Sequence, residues 1–274
     1  MSEKFKLKRG VNICTNSEYH GDKTWLSSSQ LKLLLDSKEE FYKQVFEGQG
    51  KKMEGPHLDE GSYTHSLILE PHTIPDEYAL WDGWRKQGAE WKEFKKLHEG
   101  SGKILLSKPQ AKRCESFFKA YMDNPAAVEL VDKGEAEHSI CAELMEVQVK
   151  KRSDWINIED GYIADVKTSA HPVDIDSFKQ TISKYKYDLS ASLYCMIAEE
   201  FYGKPFDFYF ICISKSELDC QVFKVSRESM DRGKLAVIKA LKSYKKCMDT
   251  GIWVDDKKGL KKEKKGCDYE ILEV

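Results

Sequence analysis

The stretch GYIADVKTSA, residues 161–170, carries an aspartate and a lysine two positions apart, at Asp165 and Lys167. Side chains alternate along a β-strand, so these two would lie on the same face. The preceding strand-like stretch, VQVKKRSDWINI, carries Asp154. Two carboxylates can supply hard oxygen ligands for Mg²⁺, and a lysine beside them can offset charge on a phosphate. The three residues are therefore candidates for a metal and phosphate site.

Between the two strands stands the dipeptide Asp160–Gly161, which favours a two-residue hairpin turn with Glu159 opposite Tyr162. In that register Asp154 lies opposite Lys167 and diagonal to the second aspartate, so the three side chains converge on one spot. A cross-strand salt bridge at a sheet edge is the alternative interpretation, and such a surface pair contributes only about 0–1 kcal/mol to stability.

The composition is that of a globular protein without a general affinity for DNA. The chain has 274 residues, 41% hydrophobic and 33% charged, which is enough for a substantial core. A formal net charge of −2 gives no overall positive field, so contact with DNA must come from a local patch. No apolar run is long enough for a membrane span, the first residues lack the apolar core of a signal peptide, and eight scattered cysteines show no zinc-site spacing. We expect a cytoplasmic protein with no membrane contact.

Helical patterns dominate residues 1–130, which we expect to form an N-terminal helical part. Serine caps precede a predicted helix over Leu31–Phe46, and LDEGSYTHSLILEP predicts a helix that ends at Pro71. Further helical patterns run from Trp81 to Asn124. The residues expected in the core of that region are Trp84, Trp91, Phe94, Leu97, Phe117, Phe118 and Tyr121.

Strands and helices alternate over residues 131–254, the expected core. Three strands within 137–168 precede a helix from Asp176 to Tyr202, strands over 206–214 and 220–226, and a helix from Glu228 to Thr250 that ends at Gly251. This order predicts an α/β sandwich of the restriction-endonuclease-like class, with a mixed central sheet flanked by helices. Residues 255–274 form a tail with six lysines between 257 and 265, either a solvated run or a contact with the DNA backbone.

Several motifs carry a resemblance to a known family. RSDWINIEDGYIADVKTSA resembles the PD-(D/E)XK nuclease signature, with Ser153 where the proline of the motif usually stands. SEYHGDKTWLSSSQLKLLLDS and GSYTHSLILEP resemble the opening of the RecE-type exonuclease (exonuclease VIII) family. YKYDLSASLY, KPFDFYFICISK and DRGKLAVIKALKSYKKCMDTGIW are similar to its later helix, strand and terminal helix. The resemblance covers about residues 12–254.

Carried over position by position, the resemblance implies that Asp154 and Asp165 are the metal-binding acids and that Lys167 is the catalytic lysine. It makes His65 a residue of the metal or phosphate site. Without the family, a histidine on this Leu/Ile-rich helix would more often be a satisfied core residue.

Two further positions follow a family pattern, a glutamine and, four residues later, a tyrosine on the helix after the D-x-K strand. The tyrosine here is Tyr194, but Ser190 stands at the glutamine position. Residues four apart share a helix face, so Ser190 could reach the site through water. Glu137, at the start of the first strand, either faces the metals or is a surface glutamate, and we favour the surface position.

The function that the resemblance implies is hydrolysis of one strand from double-stranded DNA ends, 5′ to 3′, with Mg²⁺ as cofactor and Mn²⁺ as an alternative. It further implies a homo-oligomeric ring, with a tetramer as the candidate size, and a single-strand annealing protein as partner in phage-type recombination, in a bacterial or phage-infected cytoplasm. Two alternatives stay open: another PD-(D/E)XK endonuclease or end processor, and a non-catalytic nuclease-fold protein that binds DNA or acts as an inhibitor.

Overall fold

The structure of the protein is a computed structural model that describes residues 5–50 and 55–255. The Lys-rich run at 257–265 lies outside these residues. The described helices are α1 (Asn16–Gly21), α2 (Ser28–Asp36), α3 (Lys38–Val45), α4 (Pro56–Leu69), α5 (Ile74–Glu77), α6 (Gly88–Leu97), α7 (Lys108–Met122), α8 (Pro125–Leu130), α9 (Ile175–Tyr185), α10 (Tyr187–Tyr202) and α11 (Arg227–Thr250), with a 3₁₀ helix over Pro71–Thr73. None of these helices combines the length and the apolar composition that a membrane span requires.

The described strands form a central mixed sheet and a small separate pair. They are β1 (Gly10–Asn12), β2 (Tyr78–Trp81), β3 (Ile104–Ser107), β4 (Glu135–Leu144), β5 (Val147–Asn157), β6 (Tyr162–Ser169), β7 (Asp207–Ser214) and β8 (Cys220–Lys224). The central sheet has the order β1-β4-β5-β6-β7-β8, antiparallel except for β6 and β7. Helices α9 and α10 connect that parallel pair, as a parallel pair requires. The predicted α/β class with a mixed sheet is confirmed.

Helices cover both faces of the central sheet. On one face α4 and α7 pack against the sheet, where Phe117 and Val166 belong to one core cluster. On the other, α2, α10 and α11 form a core around residues such as Leu193. Within β6, Val166 points to the first face and Ile163 to the second, so alternation directs Asp165 to the second face as well.

The hairpin register differs by two residues from the predicted one, because Asn157 and not Glu159 lies opposite Tyr162. The turn is longer because the Asn157 side chain accepts a hydrogen bond from the Asp160 N–H at 2.8 Å, and Gly161 takes the positive φ of 74° that the turn needs. A shift of two residues keeps every side chain on its own face. The two aspartates and the lysine therefore still share one face, as predicted.

Two of the predicted helices are each split in two. The helix expected over Leu31–Phe46 is interrupted at Ser37, where the backbone is extended and the side chain caps α3 by accepting the Glu40 N–H. The helix expected over Asp176–Tyr202 is interrupted at Lys186, which takes a left-handed conformation with φ of 48° between α9 and α10. The last predicted helix is confirmed as α11, and Gly251 ends it in the left-handed conformation.

The region from Trp81 to Asn124 is only partly helical, because it contains β3, which pairs in parallel with β2 just before it. Trp84 is 75% exposed and Leu97 is 78% exposed, so their predicted core positions are wrong. Trp84 lies between β2 and α6, and α6 contains no buried residue. Phe117 and Tyr121 on α7 are buried, as predicted.

The close packing of α10 against α11 yields a stability prediction at Gly233. A methyl group added there would lie 2.2 Å from the Asp188 carbonyl oxygen and 2.4 Å from Ser192 Oγ. Gly to Ala inside a helix normally stabilises it by about 1 kcal/mol. Here we expect Gly233→Ala to lower the free energy of unfolding by about 1–3 kcal/mol, because α10 must shift to make room.

Urea unfolding measures this change, and Lys234→Ala at the exposed next position is the control that should be nearly neutral. A Gly233→Ala protein more stable than the wild type would contradict the packing described here.

Candidate active site

Asp154 interrupts the sheet on both sides of β5. The ladder with β6 ends at the pair Trp155–Ala164, and the ladder with β4 skips the level of Asp154 and Glu137. In place of a main-chain acceptor, Asp154 Oδ2 accepts the N–H of Val166 at 2.8 Å. Because a buried N–H needs an acceptor, this bond holds the carboxylate against β6, next to the second acid.

Asp165 and Lys167 contact each other through Oδ2 and Nζ. Burial raises the pKa of Asp165 to about 6 and the charge of Asp154 adds to the effect, while Lys167 opposes it. Burial alone would lower the pKa of Lys167, but the carboxylates of Asp165 and Asp154 outweigh it and raise that pKa. The lysine is therefore an ammonium that partly compensates two acids.

The donors fit a hard divalent cation. Asp165 Oδ2 is buried and, although it contacts the lysine, no group in the described residues donates a well-formed hydrogen bond to it. Those residues contain no group of three or more His, Cys, Asp or Glu side chains arranged to hold a metal. Mg²⁺ does not require one, because it usually binds one or two carboxylates and keeps several waters. Asp154 and Asp165 would hold it.

His65, on α4, lies beside Asp154, where main-chain pairing between β5 and its neighbouring strands is interrupted. Its Nδ1 lies 3.5 Å from Asp154 Oδ2. Burial lowers the pKa of His65, Asp154 raises it less and Lys167 lowers it further, so the imidazole is neutral at pH 7. The structure thus places His65 at the site. A direct metal-ligand role stays a prediction, since Mg²⁺ prefers oxygen donors.

Tyr194 and Ser190 differ in their relation to the site. Tyr194 lines the same cleft as His65 and Asp154, and its hydroxyl lies near Ser28. Burial raises its pKa above the usual range, and both aspartates raise it further. Ser190 has no side-chain hydrogen bond in the part of the chain that is described, and its N–H bonds to the Lys186 carbonyl. A water-mediated role for Ser190 stays a prediction.

Glu137 lies in the cleft, and the surface position favoured from sequence is wrong. Its φ of 50° is a left-handed conformation that side-chain-bearing residues rarely adopt, and it turns the residue at the level of Asp154. Its carboxylate pairs with Arg152. Burial raises the pKa of Glu137 to about 7, with Asp154 adding to the shift and Arg152 opposing it.

Arg152 and Lys32 are site residues that sequence reasoning missed. Lys32, on α2, has its pKa lowered to about 8 by burial and by the charge of Lys167, with Asp165 opposing. It belongs to the SSSQLK stretch of a motif that resembles the RecE-type family, and that resemblance is the sequence signal that points to it. Arg152 carried no such signal, because its partner comes from a neighbouring strand.

The site opens into a cleft of about 800 Å³. Besides Asp154 and Glu137, its lining combines basic, hydroxyl and imidazole groups that suit a phosphate-bearing ligand. They include Ser62, His65, Ser66, Arg152, Thr168, Tyr194 and Lys215.

Residues 27–258 match the family model described as a PDDEXK-like domain of unknown function (DUF3799). The chain belongs to this family. The DUF3799 match includes every site residue discussed above, from Lys32 and His65 to Tyr194, and confirms the PD-(D/E)XK part of the resemblance. It does not single out the RecE type. A search of curated proteins gives no significant match.

Two solved structures are similar to this DUF3799 chain to different degrees. A provisionally assigned exonuclease from Eubacterium rectale is similar over 86% of this chain and 88% of its own, with a TM-score of 0.61 and 17% identity. A phage-related exonuclease from Haemophilus somnus 129PT matches over 69% of this chain and 95% of its own, with a TM-score of 0.31 and 15% identity. At this identity the first likeness establishes the fold alone.

The raised pKa of Glu137 predicts that stability falls as pH rises. Between about pH 4.5, its ordinary pKa, and about pH 7, the folded state binds more protons than the unfolded state. Glu137→Gln carries no charge at any pH. We expect the variant to be more stable than the wild type at alkaline pH, on the order of 1–3 kcal/mol, and equally stable near the lower limit.

Urea unfolding in EDTA, carried out at about pH 4.5 and at alkaline pH, measures the difference in stability between the variant and the wild type. Glu143→Gln, at an exposed position of the same strand, is the matched control and should show no such dependence. A constant difference between Glu137→Gln and the wild type across this pH window would rule out a charge effect at Glu137.

Proposed function

We propose that the protein is a Mg²⁺-dependent deoxyribonuclease that removes nucleotides from one strand at the ends of double-stranded DNA. The observation that carries this proposal is the convergence of Asp154, Asp165 and Lys167 on a PD-(D/E)XK-like fold, with Asp154 and His65 in contact where they line the cleft. Two acids and one ammonium at a cleft match the needs of phosphodiester hydrolysis, in which charge develops on phosphate oxygens.

A divalent cation held by Asp154 and Asp165 would supply Lewis-acid chemistry at the scissile phosphate. The ammonium of Lys167 donates hydrogen bonds to the phosphate or the attacking water and offsets the developing charge. The imidazole of His65 lies 3.5 Å from Asp154 Oδ2 and packs against that carboxylate, so it limits the orientations open to Asp154. The guanidinium of Arg152 lies in the same cleft and can receive a second phosphate.

The RecE-type features are part of the proposal. They comprise resection of the 5′-ended strand, a ring-shaped homo-oligomer with a tetramer as the candidate size, a single-strand annealing protein as partner, and Mn²⁺ as a substitute metal. Support comes from the order of the motifs and from Lys32 and Ser28 of the SSSQLK motif, which lie beside Lys167 and Tyr194 respectively. A RecE-type site would thread one strand of an open end past the two acids.

Asp165→Asn tests the role of the acid. The amide keeps the size of the side chain but removes a charged metal ligand, so we expect DNA cleavage to fall by at least about 100-fold while DNA binding survives. Release of labelled nucleotides from linear duplex with Mg²⁺ measures cleavage. Asp231→Asn, at an exposed position on α11, is the control and should cleave normally. Full activity in a folded Asp165→Asn protein would remove the site from this hairpin.

Substrate geometry separates exonuclease from endonuclease. We expect linearised plasmid to shorten progressively with Mg²⁺ while the supercoiled form stays intact, because the proposed mechanism starts from an open end. Agarose electrophoresis of both forms, incubated side by side with the same enzyme, measures this. Activity should fall as salt rises, since a chain of net charge −2 relies on local basic contacts. Rapid nicking of the circle would favour an endonuclease.

A further inference from the structure

A second groove continues the cleft past Lys167. It has a volume of about 530 Å³, and it shares Thr168, Ala170 and Tyr185 with the acidic cleft. The shared residues form the boundary between the cleft and the groove. A DNA strand that passes Asp154 in the cleft can therefore continue directly into the second groove. The proposed hydrolysis uses Lys167, which lines this groove, but none of the aromatic residues of the groove.

Tyr185 stands at that boundary as an exposed aromatic ring on a rigid support. The side chain is 50% exposed. It stacks on Tyr187, with centroids 5.6 Å apart and planes at 25°, and Tyr187 in turn packs on Phe210 at 5.5 Å. Phe210 is a fully buried residue of the sheet core. The exposed ring is therefore held in place by a stack that begins in the core.

Positive charge surrounds this stack. The Lys184 ammonium lies 5.1 Å from the centroid of the Tyr185 ring. The ammonium groups of Lys32 and Lys167 lie 5.3 and 5.7 Å from the centroid of Tyr187. Lys167 also pairs with Asp165, so Lys184 and Lys32 supply the local positive charge that contact with DNA requires in a chain of net charge −2.

We propose that the second groove binds an unpaired nucleobase of the DNA strand being cut, with the base stacked at Tyr185 and adjacent phosphates held by Lys184 and Lys167. This inference rests on the proposed function and deepens it. An exposed aromatic ring beside ammonium groups is the combination by which proteins bind single strands without sequence preference. A base inside an intact duplex is already stacked and paired, so the groove accepts a strand that has left its complement. The cleft thereby acts on a frayed end rather than on the interior of a duplex.

Equilibrium binding separates stacking from charge. In the Asp165→Asn protein, which should not cut the strand, fluorescence anisotropy compares a short oligothymidine with an abasic oligonucleotide of the same length and the same phosphates. We expect adding Tyr185→Ala to weaken binding of oligothymidine by about 10-fold and to leave binding of the abasic strand unchanged. Tyr185→Phe keeps the ring and should bind both as the parent does. Trp84→Ala, at another exposed aromatic residue, is the control and should change neither.

Three results would overturn the inference: no loss in Tyr185→Ala, an equal loss for both oligonucleotides, or a parent protein that binds the abasic strand as tightly as oligothymidine. Melting temperatures of the variants show whether they fold. The proposed function fails separately, if the wild type does not cleave linear duplex with Mg²⁺. This binding assay does not depend on cleavage, so the two failures are distinguishable.

Discussion

The interruption of main-chain pairing at Asp154 is the constraint on which the site depends. A strand in the middle of a sheet normally uses its backbone groups on both sides, but here both ladders of β5 leave out this level. The Val166 N–H of β6 bonds to the Asp154 carboxylate instead, and on the other side Glu137 adopts a left-handed backbone. The Asp154 carboxylate is thus oriented by a main-chain N–H of the neighbouring strand that would otherwise lack an acceptor. The hydrophobic layers of α4, α7 and α10 then determine which groups surround the acids.

This arrangement places acids close together in a buried setting. The raised pKa values of Asp165 and Glu137, about 6 and about 7, express the same unfavourable burial and repulsion. Lys167 and Arg152 compensate only in part. Functional sites commonly hold such charges at the expense of stability, because a ligand then supplies the missing compensation. A divalent cation and a DNA phosphate are ligands of the right charge, and Lys32 and Tyr185 extend the site toward the strand.

The parts of the structure that follow local patterns could be predicted from sequence. Alternation of side chains and the Asp–Gly dipeptide indicate strands β4 to β6. The prediction that Asp154, Asp165 and Lys167 share a face holds, because the register differs from the predicted one by two residues and such a shift keeps every side chain on its face. The register itself depends on side-chain bonds of Asn157, which the dipeptide rule ignores. The left-handed Lys186 and Glu137 have no sequence signature. Strands β2 and β3 have four residues each, too few to show a period. Arg152 belongs to the site because it pairs with Glu137 on the neighbouring strand, and no sequence motif indicates that contact.

Thermal unfolding with and without Mg²⁺ tests most directly the claim that Asp154 and Asp165 form a cation site. A ligand that binds only the folded state raises the melting temperature. We predict that Mg²⁺ raises the melting temperature of the wild type by a few degrees, and that this rise is lost in both Asp154→Asn and Asp165→Asn. The same rise in both variants, or no rise in the wild type, would contradict the claim.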